Sequence, residues 1–440
     1  MAKVLVLGGG MVGSVMAADL ARERGMRVTV VDRSAEALER AQLRATRLRE
    51  AHPLRASAAT PKGPKSGRTR AGRSRNGSAR GEPALRTIVD DASDPAVVRR
   101  LAADCDFVVG ALPSRFGFET LRAVIDAGRS CVDISFMPED FLELDRAAKK
   151  RGVTIVPDCG VAPGMSNMLA GWGADQLTKP TRVQIMVGGL PRERHWPFEY
   201  KAGFSPADVI EEYVRPSRIV RNGRIEVREA LSSPELVTLP GAGTMEAFLT
   251  DGLRSLVHTL NVPHMDEKTL RYPGHIELMR VMRSLGLFSE DEIEVAGQRV
   301  RPRELTAALL FPKWTYAPDE QDLTVMRVLV EGLLGGKPTR LVWDLFDVFD
   351  PTTGFTSMSR TTGFPATAMA RLILSGRYRE RGVIAPERAA LSRGVLSTIL
   401  RDLAARGVHY VAGAEQMESA TARSGTRNSK TVKRARRRRG

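Results

Sequence analysis

The run VLVLGGGMVGSVMAADL spaces Gly8, Gly10 and Gly13 as G-x-G-x-x-G, directly after a strand-like run and at the start of a helix-like one. Each glycine there has its own task. Gly8 permits a tight turn, Gly10 lets a pyrophosphate approach the backbone N–H groups at the helix start, and Gly13 lets helix and strand pack closely. Met11 and Val12 complete the loop. Asp32 ends the next apolar run, nineteen residues after Gly13. A carboxylate at that spacing accepts hydrogen bonds from an adenosine ribose and repels a 2′-phosphate. The cofactor expected is therefore NAD, with NADP possible because Arg33 stands beside the acid. The chemistry that follows is hydride transfer. Ala111, Leu112 and Pro113, in GALPSRFG, would pass over the same sheet edge near the nicotinamide; the alternative is an ordinary strand-to-helix turn.

These residues need a scaffold that gathers strand ends. Short apolar runs (KVLVLG, RVTVVD, LRTIVD, DFVVGAL, CVDIS, GVTIVPD) alternate with longer helix-like segments. Strands this continuously apolar, separated by helices, form a parallel sheet covered on both faces. The fold class expected is α/β: a doubly wound, Rossmann-type domain over 1–160, followed by an α+β domain on an antiparallel sheet over 161–350. In that second part Asn222-Gly223 and Gly335-Gly336 each stand between two alternating runs, the pattern of a hairpin turn. Helices over 351–410 are expected to return to the first domain.

The chain has 440 residues and a formal charge of +16. Residues 61–80 hold seven Lys or Arg and no acid, and 423–440 hold nine and no acid. Those two segments account for the whole net charge, so the remaining body is formally neutral. A disordered insert over about 52–84 and a disordered tail over 411–440 are expected, because neither has the apolar surface to offset ordering entropy. Weak, salt-sensitive adhesion to nucleic acid or another acidic surface is the other reading of these arms. The insert falls between a helix and the next strand, at the amino end of that strand and away from the cofactor.

Three cysteines, Cys105, Cys131 and Cys159, have no metal-ligand spacing and fit reduced thiols in a cytoplasmic protein. Cys159 is a poor nucleophile candidate, since hydride transfer needs none. His195 and His264 lack a second ligand at metal spacing, so no metal is expected. No apolar run reaches the roughly 18 residues of a membrane span. A homodimer is expected, since large antiparallel sheets in second domains often pair.

Six separated blocks, DISF (133–136), PDCGVAPGMSNMLAG (157–171), VGGLP (187–191), YKAGFSP (200–206), KTLRYPGH (268–275) and SRTTGFPATAMARLI (359–373), resemble the saccharopine dehydrogenase-like family. GVTIVPDCGVAPGMSNMLAG, RIVRNG and KTLRYPGH are most similar to its lysine 6-dehydrogenase branch, whereas DISFMPED and YKAGFSP lean toward its saccharopine-reductase branch. The resemblance implies an NAD(P)-dependent oxidoreductase acting on the C–N bond of a lysine-derived amino acid, with its active site between two domains. Ammonia release from lysine and glutamate release from saccharopine both stand. So does a reading of another class, a catalytically idle dinucleotide-binding protein tethered to nucleic acid by its basic arms.

Oxidising an amine by hydride transfer needs the neutral amine, and a lysine ε-amine has a pKa near 10.4, so a base or a dry pocket must assist. Asp133 is a candidate at a strand's carboxyl end, with turn capping as its alternative role. Asp158 is another, before the Gly-rich turn, where Asp often only bonds local backbone. Lys201 is the third, by its place in a family block beside Tyr200. Arg271 is the candidate clamp for a substrate carboxylate, with Tyr272 nearby. Tyr200, Asn167 and Ser135 complete the expected substrate contacts.

Overall fold

The computed structural model describes residues 1–51, 85–317 and 320–417. The basic insert (52–84) and residues 418–440 of the expected tail lie outside the described residues. Strands β1 (Ala2–Leu7), β2 (Met26–Asp32), β3 (Arg86–Val89), β4 (Phe107–Gly110), β5 (Ser130–Asp133) and β6 (Thr154–Val156) lie in the order β6-β5-β4-β1-β2-β3. Every pairing among them is parallel. The apolar runs are continuous because both faces are covered. Val4, Val6, Val28, Val30 and Val109 enter one core, while Leu5, Leu7, Val31 and Val108 enter the other. β1 pairs with β2 on one side and β4 on the other, so the strand order reverses at β1 and opens a crevice at the carboxyl ends. The helix before the insert ends at Ala51 and β3 begins at Arg86, which puts the insert's attachment at the amino end of β3, as expected.

The second domain follows with β7 (Thr178–Pro191), β8 (Ser217–Arg221), β9 (Arg224–Arg228), β10 (Glu235–Leu239), β11 (Gly243–Leu249) and β12 (His264–Arg271). A two-stranded hairpin, β13 (Ile293–Val295) and β14 (Gln298–Val300), stands apart, and β15 (Asp322–Leu334) and β16 (Lys337–Val348) complete the set. The large sheet is antiparallel in every pair except β12 with β7, which is parallel, so it is mixed rather than purely antiparallel. The long excursion through β8–β11 is what lets β12 return in the direction of β7. Both hairpin turns form where the sequence places them: Asn222 and Gly223 have φ of 49° and 73°, Gly335 and Gly336 of 56° and 81°.

The last part of the chain does more than add helices. β17 (Gly382–Val383) pairs in parallel with β6 as a seventh strand of the first sheet. β18 (Tyr410–Gln416) pairs with β16, so residues 411–416 are an edge strand and not the start of a disordered tail. Its side chains are mostly exposed, and its hydrogen bonds to β16 hold it, a cue that apolar patterning does not carry. The helix Ser357–Leu374 packs on the helix Gly13–Leu20, and a Cβ on Gly363 would stand 2.9 Å from Met16 Cγ. Asp19 fixes that contact by accepting hydrogen bonds from Thr367 (2.6 Å), Arg371 (2.7 Å) and Arg406 (2.7 Å). Burial alone would raise its carboxyl, but the two guanidinium groups hold it well below the usual carboxylate range. No described helix is long and apolar enough to cross a membrane.

Candidate active site

A cleft of about 480 Å³ runs from the Gly8–Gly13 loop to the second sheet. At its first end the backbone is shaped for a close-approaching ligand. Gly8 has φ +98°, and a Cβ there would meet the Ala111 carbonyl oxygen at 2.7 Å. A Cβ on Gly13 would fall 2.1 Å from the Gly8 oxygen, whereas one on Gly10 would meet nothing within 4 Å, since it would project into the cleft. Asp32 Oδ2 accepts from Gly9 N at 2.7 Å and Oδ1 from Ser34 N at 2.8 Å, which aims the carboxylate at the cleft it lines. Met11, Val12 and Arg33 line the same end, and Ala111, Leu112 and Pro113 line its continuation. These residues fit a dinucleotide: open space over a glycine loop at a helix start, with a carboxylate at the far rim.

Next along the cleft comes Ser135, whose Oγ donates to Asp133 Oδ1 at 2.6 Å while its backbone N–H donates to the same oxygen at 2.8 Å. Asp133 itself sits behind the cleft wall at the end of β5 and is 1% exposed. Burial pushes its carboxyl up to about 7; the Ser135 hydrogen bonds restrain the rise and the Asp158 charge adds to it.

Asp158 lines the cleft with a φ of 50°, a strained value for a residue with a side chain. Its Oδ2 accepts from Arg254 Nε at 2.7 Å, and its buried Oδ1 has no hydrogen-bond partner. Arg254 also donates to the Met137 carbonyl at 2.6 Å and stacks 4.9 Å from the Phe136 ring centroid.

Arg271, at the end of β12, reaches the cleft from the second sheet and is 2% exposed. Nη2 donates to Glu212 Oε2 at 2.6 Å, Nε to the Tyr213 hydroxyl at 3.3 Å, and the guanidinium lies 4.3 Å from the Tyr200 ring centroid. Behind it, His275 Nδ1 lies 2.8 Å from the Phe198 carbonyl, which can only accept, so Nε2 accepts from the Tyr213 hydroxyl at 2.9 Å. Burial and the Arg271 charge hold that imidazole neutral, with its pKa down at about 3. The chain of contacts locks Arg271 in one pose.

Four expected contacts lie elsewhere. Lys201 does not line the cleft: its Nζ donates to Glu320 Oε2 at 2.5 Å and to the Thr315 carbonyl at 3.2 Å, so its amine is taken up by an ion pair. Tyr200 supports Arg271 from behind, and Tyr272 donates to the Pro191 carbonyl at 2.9 Å. Asn167 accepts from Gly164 N and Ser166 Oγ and donates to the Leu253 carbonyl, bracing the helix Met165–Gln176 instead of meeting a ligand. Cys159 is buried, and burial pushes its thiol well up.

The structure adds residues that sequence reading passed over. Asp208, Glu211, Glu212 and Arg215, on or just after the helix Pro206–Val214, line the cleft, as do Asp251 and Glu267. Asp251 takes a bidentate pair from Arg218, at 2.9 Å to each oxygen. Burial pushes Glu267 up to about 8, against hydrogen bonds from Thr250 and Gly252 N. The one available signal was Glu211-Glu212 just before Arg215, which also reads as an ordinary solvated helix face. Ser114 Oγ donates to Asp208 Oδ1 at 2.6 Å, joining the two domains at the cleft.

Comparison with known proteins matches residues 4–156 to the family model described as the saccharopine dehydrogenase NADP binding domain, and residues 160–408 to the saccharopine dehydrogenase C-terminal domain. The chain is 22% identical over 388 residues to the mitochondrial alpha-aminoadipic semialdehyde synthase of Rattus norvegicus, covering 71% of this chain and 41% of that protein. It therefore spans about two-fifths of the length of that relative. It is 21% identical to the NADP(+), L-glutamate-forming saccharopine dehydrogenase of Pyricularia oryzae (67% of this chain, 82% of that one). It is 23% identical to the carboxyaminopropylagmatine dehydrogenase of Synechocystis (69% and 80%). The fold matches the apo saccharopine dehydrogenase (L-Glu forming) of Saccharomyces cerevisiae with a TM-score of 0.72 at 17% identity, over 94% of this chain and all of that one. With both domain models matched in order over nearly the whole described chain, this protein belongs to the saccharopine dehydrogenase family.

Proposed function

We propose that the chain is an NAD(P)-dependent dehydrogenase that oxidises a C–N bond of a lysine-like amino acid in the manner of a lysine 6-dehydrogenase, releasing ammonia and a semialdehyde that cyclises. The bound nicotinamide supplies a hydride acceptor. The observation that carries the choice of substrate is charge. Beyond the adenosine end, six carboxyl-bearing residues line the cleft against three arginines, Arg115, Arg215 and Arg271. Of the six, Asp158 and Asp251 are paired with Arg254 and Arg218, and burial pushes Glu267 up to about 8. That leaves Asp208, Glu211 and Glu212 to face the arginines, with Glu211 pairing Arg215. The deepest of the three arginines, Arg271, is already paired with Glu212. Lysine brings two ammonium groups and one carboxylate, which suits a cleft whose inner arginines, Arg215 and Arg271, are already paired with Glu211 and Glu212. Saccharopine brings three carboxylates and would need more than one unpaired cation. Arg271 orients the α-carboxylate from the cleft wall.

Asp32 supports NAD as the preferred cofactor. The described cysteines are all unpaired and buried, which supports a reducing, cytoplasmic setting. Exposed Leu278, Val281 and Leu285 on and just after the helix His275–Ser284 support the expected homodimer.

The test is to incubate purified protein with NAD⁺ or NADP⁺ and either L-lysine or saccharopine, and to assay ammonia and glutamate separately. Ammonia from lysine supports the reading. Glutamate from saccharopine, with lysine inert, replaces it by the saccharopine-reductase alternative.

A further inference from the structure

We propose that Ser135 and Asp133 work as one unit at the reacting nitrogen, the Ser135 hydroxyl touching the substrate amine and relaying its proton to the Asp133 carboxylate behind the cleft wall. This rests on the amine-oxidation reading above.

The local backbone is built around this pair. Two glycines on neighbouring segments leave it room: a Cβ on Gly110 would fall 2.0 Å from Asp133 Oδ2, and one on Gly117 would fall 2.1 Å from Ser135 Oγ. Both Ser135 donors converge on a single oxygen of Asp133, which fixes the hydroxyl on that carboxylate. Ser135 lines the cleft and Asp133 does not, so the hydroxyl is the only one of the two that can meet a ligand. A hydroxyl can accept one proton while donating another, which a relay requires. The pair spans the end of β5 and the turn after it, next to the Ala111–Pro113 loop after β4, where the strand ends face the crevice.

The charged and titratable groups that act on Asp133 are Asp158, Cys131 and Cys159. Both thiols are pushed up by burial and stay protonated. No cation is among them, so the carboxylate is free to take a proton.

The step balances as follows. The substrate ammonium loses one proton to Ser135 Oγ as the Ser135 proton moves to Asp133. The freed nitrogen lone pair forms the C=N bond while the adjacent C–H bond breaks, and its electron pair leaves with the hydrogen as hydride to the oxidised nicotinamide. Water then adds to the iminium carbon, and ammonia departs. Ser135 is the catalytic residue in this scheme and Asp133 the positioning residue and proton store.

The experiment measures kcat/KM for L-lysine against pH in the wild type, Ser135→Ala and Asp133→Asn. It also records the infrared carbonyl stretch of protonated carboxyls in each protein without substrate or cofactor. The wild type should lose activity below an inflection at about pH 7. Both variants should lack that inflection and rise about tenfold per pH unit toward the pKa of the free amine. The carbonyl band should titrate at about pH 7 in the wild type, at higher pH in Ser135→Ala, which loses a hydrogen bond that restrains the rise, and be missing from Asp133→Asn. An inflection unchanged in Ser135→Ala, which loses only one hydroxyl, overturns the proposal, as does a wild-type carbonyl band that does not differ from that of Asp133→Asn. Wild-type protein that oxidises no amine removes the amine-oxidation reading and this proposal together, whereas an active wild type with unaltered variant profiles removes this proposal alone.

Discussion

Arg254 Nε donates to Asp158 Oδ2 at 2.7 Å, with the two side chains 3% and 0% exposed. The bond joins the segment after β11 to the turn after β6, and the same guanidinium holds the Met137 carbonyl beside Ser135. One arginine thus ties the two domains together, as the Ser114–Asp208 bond does elsewhere along the cleft.

Replacing Arg254 by Met should therefore leave a buried carboxylate without its partner and cost about 3–5 kcal/mol of stability. Urea unfolding of the single variant and of Arg254→Met with Asp158→Leu checks this. The double variant should recover most of the loss, because it removes the stranded charge as well.

Asp19 makes a prediction about acid. Its carboxyl is depressed by Arg371 and Arg406, so its stabilising contribution is complete above the unfolded-state value of about 3.9 and is lost as pH falls below it. Asp19→Asn should lower the melting temperature at pH 7, and its difference from wild type should shrink on acidification below about pH 4. Scanning calorimetry at several pH values reads both effects.

Gly13→Val places side-chain atoms where a Cβ alone would already be 2.1 Å from the Gly8 oxygen. Binding of NADH, followed by its fluorescence, should weaken by at least about 100-fold, a loss of roughly 2.7 kcal/mol. Asp32→Ser keeps the loop and removes the charge, so it should improve NADP⁺ relative to NAD⁺ by about tenfold.

Lys201→Ala should leave kcat/KM within about threefold of wild type, because Nζ lies outside the cleft and is paired with Glu320. The stability cost should be about 1–3 kcal/mol, because a half-buried, charge-assisted hydrogen bond to Glu320 is lost. Loss of turnover with normal folding would return Lys201 to the catalytic machinery.

What could be read from the chain without coordinates was whatever depends on neighbours in sequence. Gly8, Gly10, Gly13 and Asp32 mark a strand, turn, helix and strand in series, and that local order fixes where a dinucleotide can sit. Asn222-Gly223 and Gly335-Gly336 announce their turns for the same reason, since positive φ favours those residue types. The doubly wound sheet followed from runs apolar enough to be buried on both faces.

The substrate end was decided only by the tertiary fold. Glu212 and Arg271 are 59 residues apart, Asp158 and Arg254 are 96, and Lys201 and Glu320 are 119, and none of these pairings has a local cue. Lys201 and Arg271 look equally eligible as charged residues in blocks that resemble the family; their surroundings differ because one is paired outside the cleft and the other is held at its wall. β17 and β18 were hidden likewise, being short or mostly polar and held by hydrogen bonds to strands hundreds or dozens of residues away. A residue's type gives its charge and donors, but which partner desolvates or neutralises it is settled by contacts that exist only after the chain has folded.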